Sequence, residues 1–220
     1  MQILNIKKSY GKKEVLKDVS FSAKKGECIG ILGANGSGKS TLFNVLSGVI
    51  KNGGGKFLYE GDDLFKNTKK RQDNVGYVPQ GLALFDELSA KDNLRLWYKK
   101  ADMEKELKSG VLKMLGIDTF LDVLVKNMSG GMKKRLSIGC AVSKNIEILL
   151  LDEPTGALDI VCKDNIFSYL QSFKSKGGII VMATHDVFEL SLCDKIYILK
   201  NGVLTETKVD NDVKRLAELL

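Results

Sequence analysis

Gly33, Ala34, Asn35, Gly36, Ser37, Gly38, Lys39, Ser40 and Thr41 satisfy G-x-x-x-x-G-K-[ST] without interruption. Glycines at these spacings let the backbone curl tightly, so that successive N–H groups point at one anion. Lys39 adds a point charge for the β- and γ-phosphates of a nucleotide, and the Ser40 hydroxyl is suited to ligate Mg²⁺. A glycine-rich turn with a chance lysine is the competing reading, and it leaves the rest of the pattern unexplained.

A second set lies far along the chain, where Ile148, Leu149, Leu150 and Leu151 run directly into Asp152 and Glu153. Such a run reads as a parallel strand buried on both faces, which delivers its carboxylates to the C-terminal edge of a sheet, beside a phosphate loop. There Asp152 would hold a metal, directly or through water. Glu153 would take a proton from the water attacking a γ-phosphate, or orient that water in line. Ser129, Gly130 and Gly131 open a third element; by itself Ser-Gly-Gly is a routine helix cap and turn.

These residues need elements to position them. Cys28 to Leu32 is a compact apolar run suited to a buried strand ahead of the loop, and Leu42, Phe43, Val45 and Leu46 follow at helical spacing. Upstream, Ile3, Leu4 and Ile6 and then Val15, Leu16, Val19 and Phe21 flank a turn at Gly11, Lys12 and Lys13, which predicts an N-terminal hairpin. Further strands are expected at Phe57 to Tyr59, Val75 to Val78, Ile179 to Met182 and Ile196 to Leu199. The last pairs with Val203 to Thr205 through Asn201 and Gly202, a type I′ hairpin signal.

The middle of the chain reads as helical. Ser89 caps a stretch to Lys100, and Met103 to Leu115 carries Leu107, Val111, Met114 and Leu115 on one face before Gly116 stops it. Ser129 to about Val142 leads back to the acidic strand. The fold class is α/β: one compact domain over residues 1–220, with a helical subdomain inserted at about 87–142.

Composition narrows the function classes. The 220 residues hold 34 Lys+Arg against 27 Asp+Glu, a net charge of +7, with one histidine and two prolines. No apolar run approaches the roughly 18 residues of a membrane-spanning helix. Asn5 and Lys7 break the apolar character of the first residues, so a secretory h-region is lacking and a cytosolic protein is expected. Cys28, Cys140, Cys162 and Cys193 have no metal-binding spacing and read as buried free thiols. The basic residues fall in short sets (Lys7, Lys8, Lys12, Lys13; Lys66, Lys69, Lys70, Arg71; Lys133, Lys134, Arg135), each read as solvated surface.

Met128, Ser129, Gly130, Gly131 and Met132 lie shortly before the acidic strand. With the phosphate loop, they resemble the motif order of ATP-binding cassette (ABC) ATPases, whose signature reads Leu-Ser-Gly-Gly-Gln. The resemblance spans essentially the whole chain. It implies a P-loop NTPase core with an N-terminal antiparallel β subdomain and an inserted helical subdomain, hydrolysing ATP with Mg²⁺. It also implies a homodimer, in which the phosphate loop of one subunit and the Ser129, Gly130 and Gly131 end of the other grip the same ATP. Residue by residue, the resemblance assigns Tyr10 to stacking on adenine, the alternative being a strand-edge aromatic that simply packs. Gln80, after Pro79, is assigned to the metal and the attacking water, Asp159 to a loop that crosses the dimer interface, and His185 to contact with the γ-phosphate.

Two departures stand out. Met128 replaces leucine with little change of volume, whereas Met132 replaces glutamine and cannot make its amide hydrogen bonds. Ser-Gly-Gly-Met followed by basic residues is similar to the ATPases of ABC-2-type exporters. That implies export through a separate integral membrane permease subunit, with this chain peripheral on the inner face of the cell membrane. Leu82, Leu84, Phe85, Leu88, Trp97 and Tyr98 either line a groove for a cytoplasmic helix of that permease or form the core of the insertion, and their exposure decides between the two. The alternative function is a soluble ABC ATPase of iron–sulfur cluster assembly. Nucleic acid is not an expected partner, because family members acting on it carry two cassettes, long coiled coils or zinc modules, and this chain has none of these.

Overall fold

The computed structural model describes residues 1–81, 83–156 and 158–207. The alternating N-terminal segment forms two antiparallel strands, β1 (Gln2–Tyr10) and β2 (Lys13–Ser22), joined at Gly11. The fully buried β3 (Cys28–Leu32) then leads through the glycine loop into α1 (Lys39–Ser47). β4 (Gly54–Tyr59) pairs with β1 and with the short β5 (Asp62–Asp63), and α2 (Thr68–Asn74) precedes β6 (Val75–Val78).

The helical insertion comprises α3 (Ala90–Arg95), α4 (Lys100–Ser109), α5 (Val111–Met114) and α6 (Gly130–Ala141). The chain then alternates: β7 (Ile148–Asp152), α7 (Ile160–Ser175), β8 (Ile179–Ala183), α8 (Val187–Leu190), and the closing hairpin β9 (Lys195–Lys200) and β10 (Val203–Thr207). Asn201 and Gly202 both take positive φ, 54° and 79°, as a type I′ turn requires.

All the strands form one sheet in the order β5-β4-β1-β2-β10-β9-β3-β8-β7-β6. Strands β9, β3, β8, β7 and β6 run parallel to one another, and every residue of β3, β7 and β8 is buried. That is why these segments read as unbroken apolar runs: each face of a parallel sheet is covered. Alternate side chains feed two cores. Leu149 and Leu151 pack with Leu94, Leu112, Leu136 and Ile166, while Ile148 and Leu150 pack with Leu42, Phe43, Leu46 and Phe57.

The structure corrects the expected helices. The first stops at Arg95 instead of Lys100, and the second breaks at Gly110, whose backbone is extended. The cause is local: the Glu106 carboxylate folds under and accepts the Val111 N–H at 2.7 Å, capping α5. A Cβ at Gly110 would lie 1.9 Å from that carboxylate, so a larger residue there would displace the Glu106 side chain. The break changes the helical phase, and Met114 is exposed while Leu115 is buried. Lys134 is a second correction, because it lies buried rather than on a solvated surface. The four cysteines are buried and free, as expected, with the Cys28 and Cys193 sulfurs 3.7 Å apart.

Candidate functional site

The loop between β3 and α1 has the backbone that its glycines allow. Gly36 and Gly38 take positive φ, 80° and 110°, and a Cβ at Gly33 would lie 2.6 Å from Ser37 Oγ and 2.7 Å from the Leu199 carbonyl. Lys39 is buried, and its ammonium lies back across the loop, donating to the Gly33 and Ala34 carbonyls at 2.5 and 3.3 Å. Burial lowers its pKa, against the opposing pull of Glu153 and Asp152. Ser37 Oγ is buried with no hydrogen-bond partner among the described residues. The loop thus offers an ammonium and a helix N-terminus, which fits a phosphate group.

β7 brings Asp152 to the same sheet edge, where it is 2% exposed. Burial raises its pKa; the Ser40 hydroxyl acts against this, Glu153 adds to it, and Lys39 opposes it. Glu153 adopts φ 51° directly before Pro154, a left-handed conformation that is strained for a non-glycine residue and one the following proline makes harder still. Its amide is tied to the Ala183 carbonyl of β8 at 2.9 Å, which holds the strain in place. Gln80, which follows β6, donates from Nε2 to Glu153 Oε2 at 2.8 Å.

His185, after β8, is exposed; partial burial and the Lys39 charge lower its pKa, while Glu153 raises it. Glu153, Gly156, Thr184, His185, Asp186 and Glu189 line a cavity of about 270 Å³. A larger cleft of about 860 Å³, lined by residues such as Tyr98, Glu106, Tyr169 and Lys176, opens at the N-terminal ends of β7 and β8, away from every motif.

Ser129, Gly130 and Asp159 lie apart from this cluster, and among the described residues no hydrogen bond joins them to the phosphate loop. Ser129 Oγ caps α6 by accepting the Met132 N–H at 3.2 Å, and Asp159 Oδ1 caps α7 by accepting the Cys162 N–H at 2.9 Å. The two helix starts adjoin: a Cβ on Gly131 would lie 2.3 Å from Cys162 Sγ. Ser129 and Gly130 are exposed. Tyr10 is half exposed at the end of β1, with the Lys8 ammonium 5.4 Å from its ring centre.

Sequence reasoning passed over two buried charged residues next to this site, Lys134 and Glu189. Glu189 lies on the short α8, a helix the apolar spacing does not mark. Lys134 sits in a run of cations that reads as surface.

Residues 16–156 match the family model for the ABC transporter. The chain is 36% identical over 217 residues to the linearmycin resistance ATP-binding protein LnrL of Bacillus subtilis (strain 168), a match covering 96% of this chain and 70% of that protein. It is 35% identical over 216 residues to the bacitracin export ATP-binding protein BceA of Halalkalibacterium halodurans, covering 92% and 85% respectively. Its structure is similar to the dimeric post-hydrolysis state of the ATP-binding cassette MJ0796 bound to ADP and Pi. That match has a TM-score of 0.84 at 29% identity, over 95% of this chain and 98% of that one. With a phosphate loop and an acidic strand meeting at one sheet edge, and this family match over most of its length, the chain belongs to the ABC transporter family and is an ATP-binding ATPase with the P-loop NTPase fold.

Proposed function

We propose that this chain powers an exporter, hydrolysing ATP between two copies of itself and passing the resulting closure and opening to a separate membrane-spanning subunit. One observation carries the reading. Lys39, Ser40, Asp152, Glu153 and Gln80 converge at one sheet edge, while the Ser129 and Gly130 end of α6 stands exposed, with no hydrogen bond to the phosphate loop among the described residues. Half a phosphate site at each of two places suits a composite site completed by a second copy.

In this reading the loop N–H groups and Lys39 bind the β- and γ-phosphates of ATP. Lys39 exchanges its bonds to the Gly33 and Ala34 carbonyls for phosphate oxygens. Glu153 takes the proton of the attacking water, Gln80 orients that water, and His185 contacts the γ-phosphate. Tyr10 offers its ring to adenine, and Asp159 meets the partner copy.

Ser40, Asp152 and Gln80 fit a magnesium site, since Mg²⁺ takes oxygen ligands from one or two protein groups together with substrate phosphates. Mg²⁺, when bound, would neutralise phosphate charge.

No helix among the described residues is long and apolar enough to cross a membrane. Phe85 and Trp97, each 59% exposed, and Leu96, 55% exposed, support a docking face for the membrane-spanning subunit. Leu84 and Leu88 are half-buried, and Tyr98 is core, its hydroxyl donating to the Gly139 carbonyl. Leu82 lies outside the described residues. The iron–sulfur assembly alternative has no support among the relatives. Pull-down of the tagged chain from detergent-solubilised membranes tests the reading. An integral membrane protein should be recovered, and a purely soluble assembly complex would overturn it.

A further inference from the structure

Lys134 is 6% exposed, and among the described residues its ammonium makes one hydrogen bond, to the Pro79 carbonyl at 3.3 Å. A buried cation with a single neutral acceptor is costly, and its pKa is lowered by burial, partly offset by the fields of Asp152, Glu189 and Glu153. A lysine held in this way is a demanding means of filling space.

Its placement suggests what it does. Lys134 sits on α6 five positions after Ser129, about 7.5 Å along a rigid helix from the exposed end. The carbonyl it grips belongs to the peptide group that carries the Gln80 nitrogen, and the Gln80 side chain in turn holds Glu153 at 2.8 Å. A continuous physical path therefore runs from Ser129 along α6 to Lys134, across to Pro79 and Gln80, and on to the Glu153 carboxylate. The Lys134 bond is directional and falls on a backbone carbonyl of the loop after β6.

We propose that Lys134 is a positioning residue, which transmits engagement of α6 by the ATP of the partner copy to the placement of Gln80 and, through it, of Glu153. The inference rests on the roles given above to Ser129, Gln80 and Glu153. It adds a link between them that runs within one chain, so that the half-site a subunit lends to its partner is coupled to the half-site it keeps.

The test is a double-mutant cycle in ATP turnover by the complete chain, comparing Lys134→Met, Lys134→Arg, Gln80→Ala and the Lys134→Met, Gln80→Ala pair. Lys134→Met should lower kcat about tenfold while KM for ATP stays within about twofold, and Lys134→Arg should recover most of the loss. Adding Lys134→Met to Gln80→Ala should cost less than about twofold more, because both act at one point. Full, multiplicative effects, or unchanged kcat in Lys134→Met, overturn the proposal. So does loss of ATP binding or of folding in Lys134→Met that arginine fails to restore, since that assigns the lysine to the core. Wild-type turnover in Gln80→Ala overturns the underlying reading of Gln80, an outcome separate from failure of the coupling.

Discussion

The Gln80 amide donates a 2.8 Å hydrogen bond to the Glu153 carboxylate, joining residues 73 positions apart. The bond brings a neutral donor onto the one carboxylate at the site that carries backbone strain, with φ 51° before a proline. Gln80 thereby occupies one acceptor position of the Glu153 carboxylate and ties it to the segment that follows β6.

Replacing Glu153 with glutamine keeps the shape and removes the basic oxygen. ATP binding should persist, turnover should fall on the order of 10²-fold or more, and a closed dimer should accumulate on gel filtration with ATP. Near-normal turnover would remove Glu153 from the role of base.

Lys39→Ala removes the ammonium that spans the Gly33 and Ala34 carbonyls. Nucleotide affinity should weaken at least about tenfold, near 1.4 kcal/mol, in a titration with a fluorescent nucleotide. Undiminished affinity would contradict the phosphate assignment of the loop.

Glu189 is 2% exposed, and burial raises its pKa above the usual carboxylate value, tempered by the Thr155 and Thr184 side chains. A raised folded-state pKa means that the ionised form opposes folding, so the penalty is absent below the unfolded pKa of about 4.5 and grows as pH rises through the folded value. Glu189→Gln, which does not titrate, should therefore melt above wild type at pH 8, with the gap narrowing toward pH 5. A gap that is constant or widens on acidification would refute the assignment.

Phe85 and Trp97 project into solvent, so replacing both with serine should leave the stability of the isolated chain within about 0.5 kcal/mol. Its own ATP turnover should be unaltered. Recovery of the membrane partner in a pull-down should drop several-fold, and full recovery would exclude this face as the docking site.

The reach of sequence reasoning follows from how each feature is built. The phosphate loop was legible because its geometry depends on contiguous residues, with Gly36 and Gly38 supplying positive φ within the loop itself. The run Ile148 to Asp152 was legible because burial of both faces leaves no room for alternation. The helix α7 went unmarked although Asp159 caps it and Cys162, Ile166, Tyr169 and Leu170 form its buried stripe, because exposed Ile160 and Val161 blur the amphipathic pattern at its start. The Gly110 break needed the Glu106 side chain to turn back on its own helix, which apolar spacing does not encode.

The sequence alone determined the identity and order of the phosphate loop, the acidic strand and the residues that accompany them, since each motif is a short run whose local conformation its own residue types dictate. Tertiary structure decided which charges are removed from water and which apolar side chains remain in it. Lys134 and Lys133 are neighbours in one basic run, yet only Lys134 is buried, because its position on α6 turns it toward the loop after β6. Burial depends on what a distant segment lays over a residue, and that is a property of the packed chain rather than of the residue's neighbours in sequence.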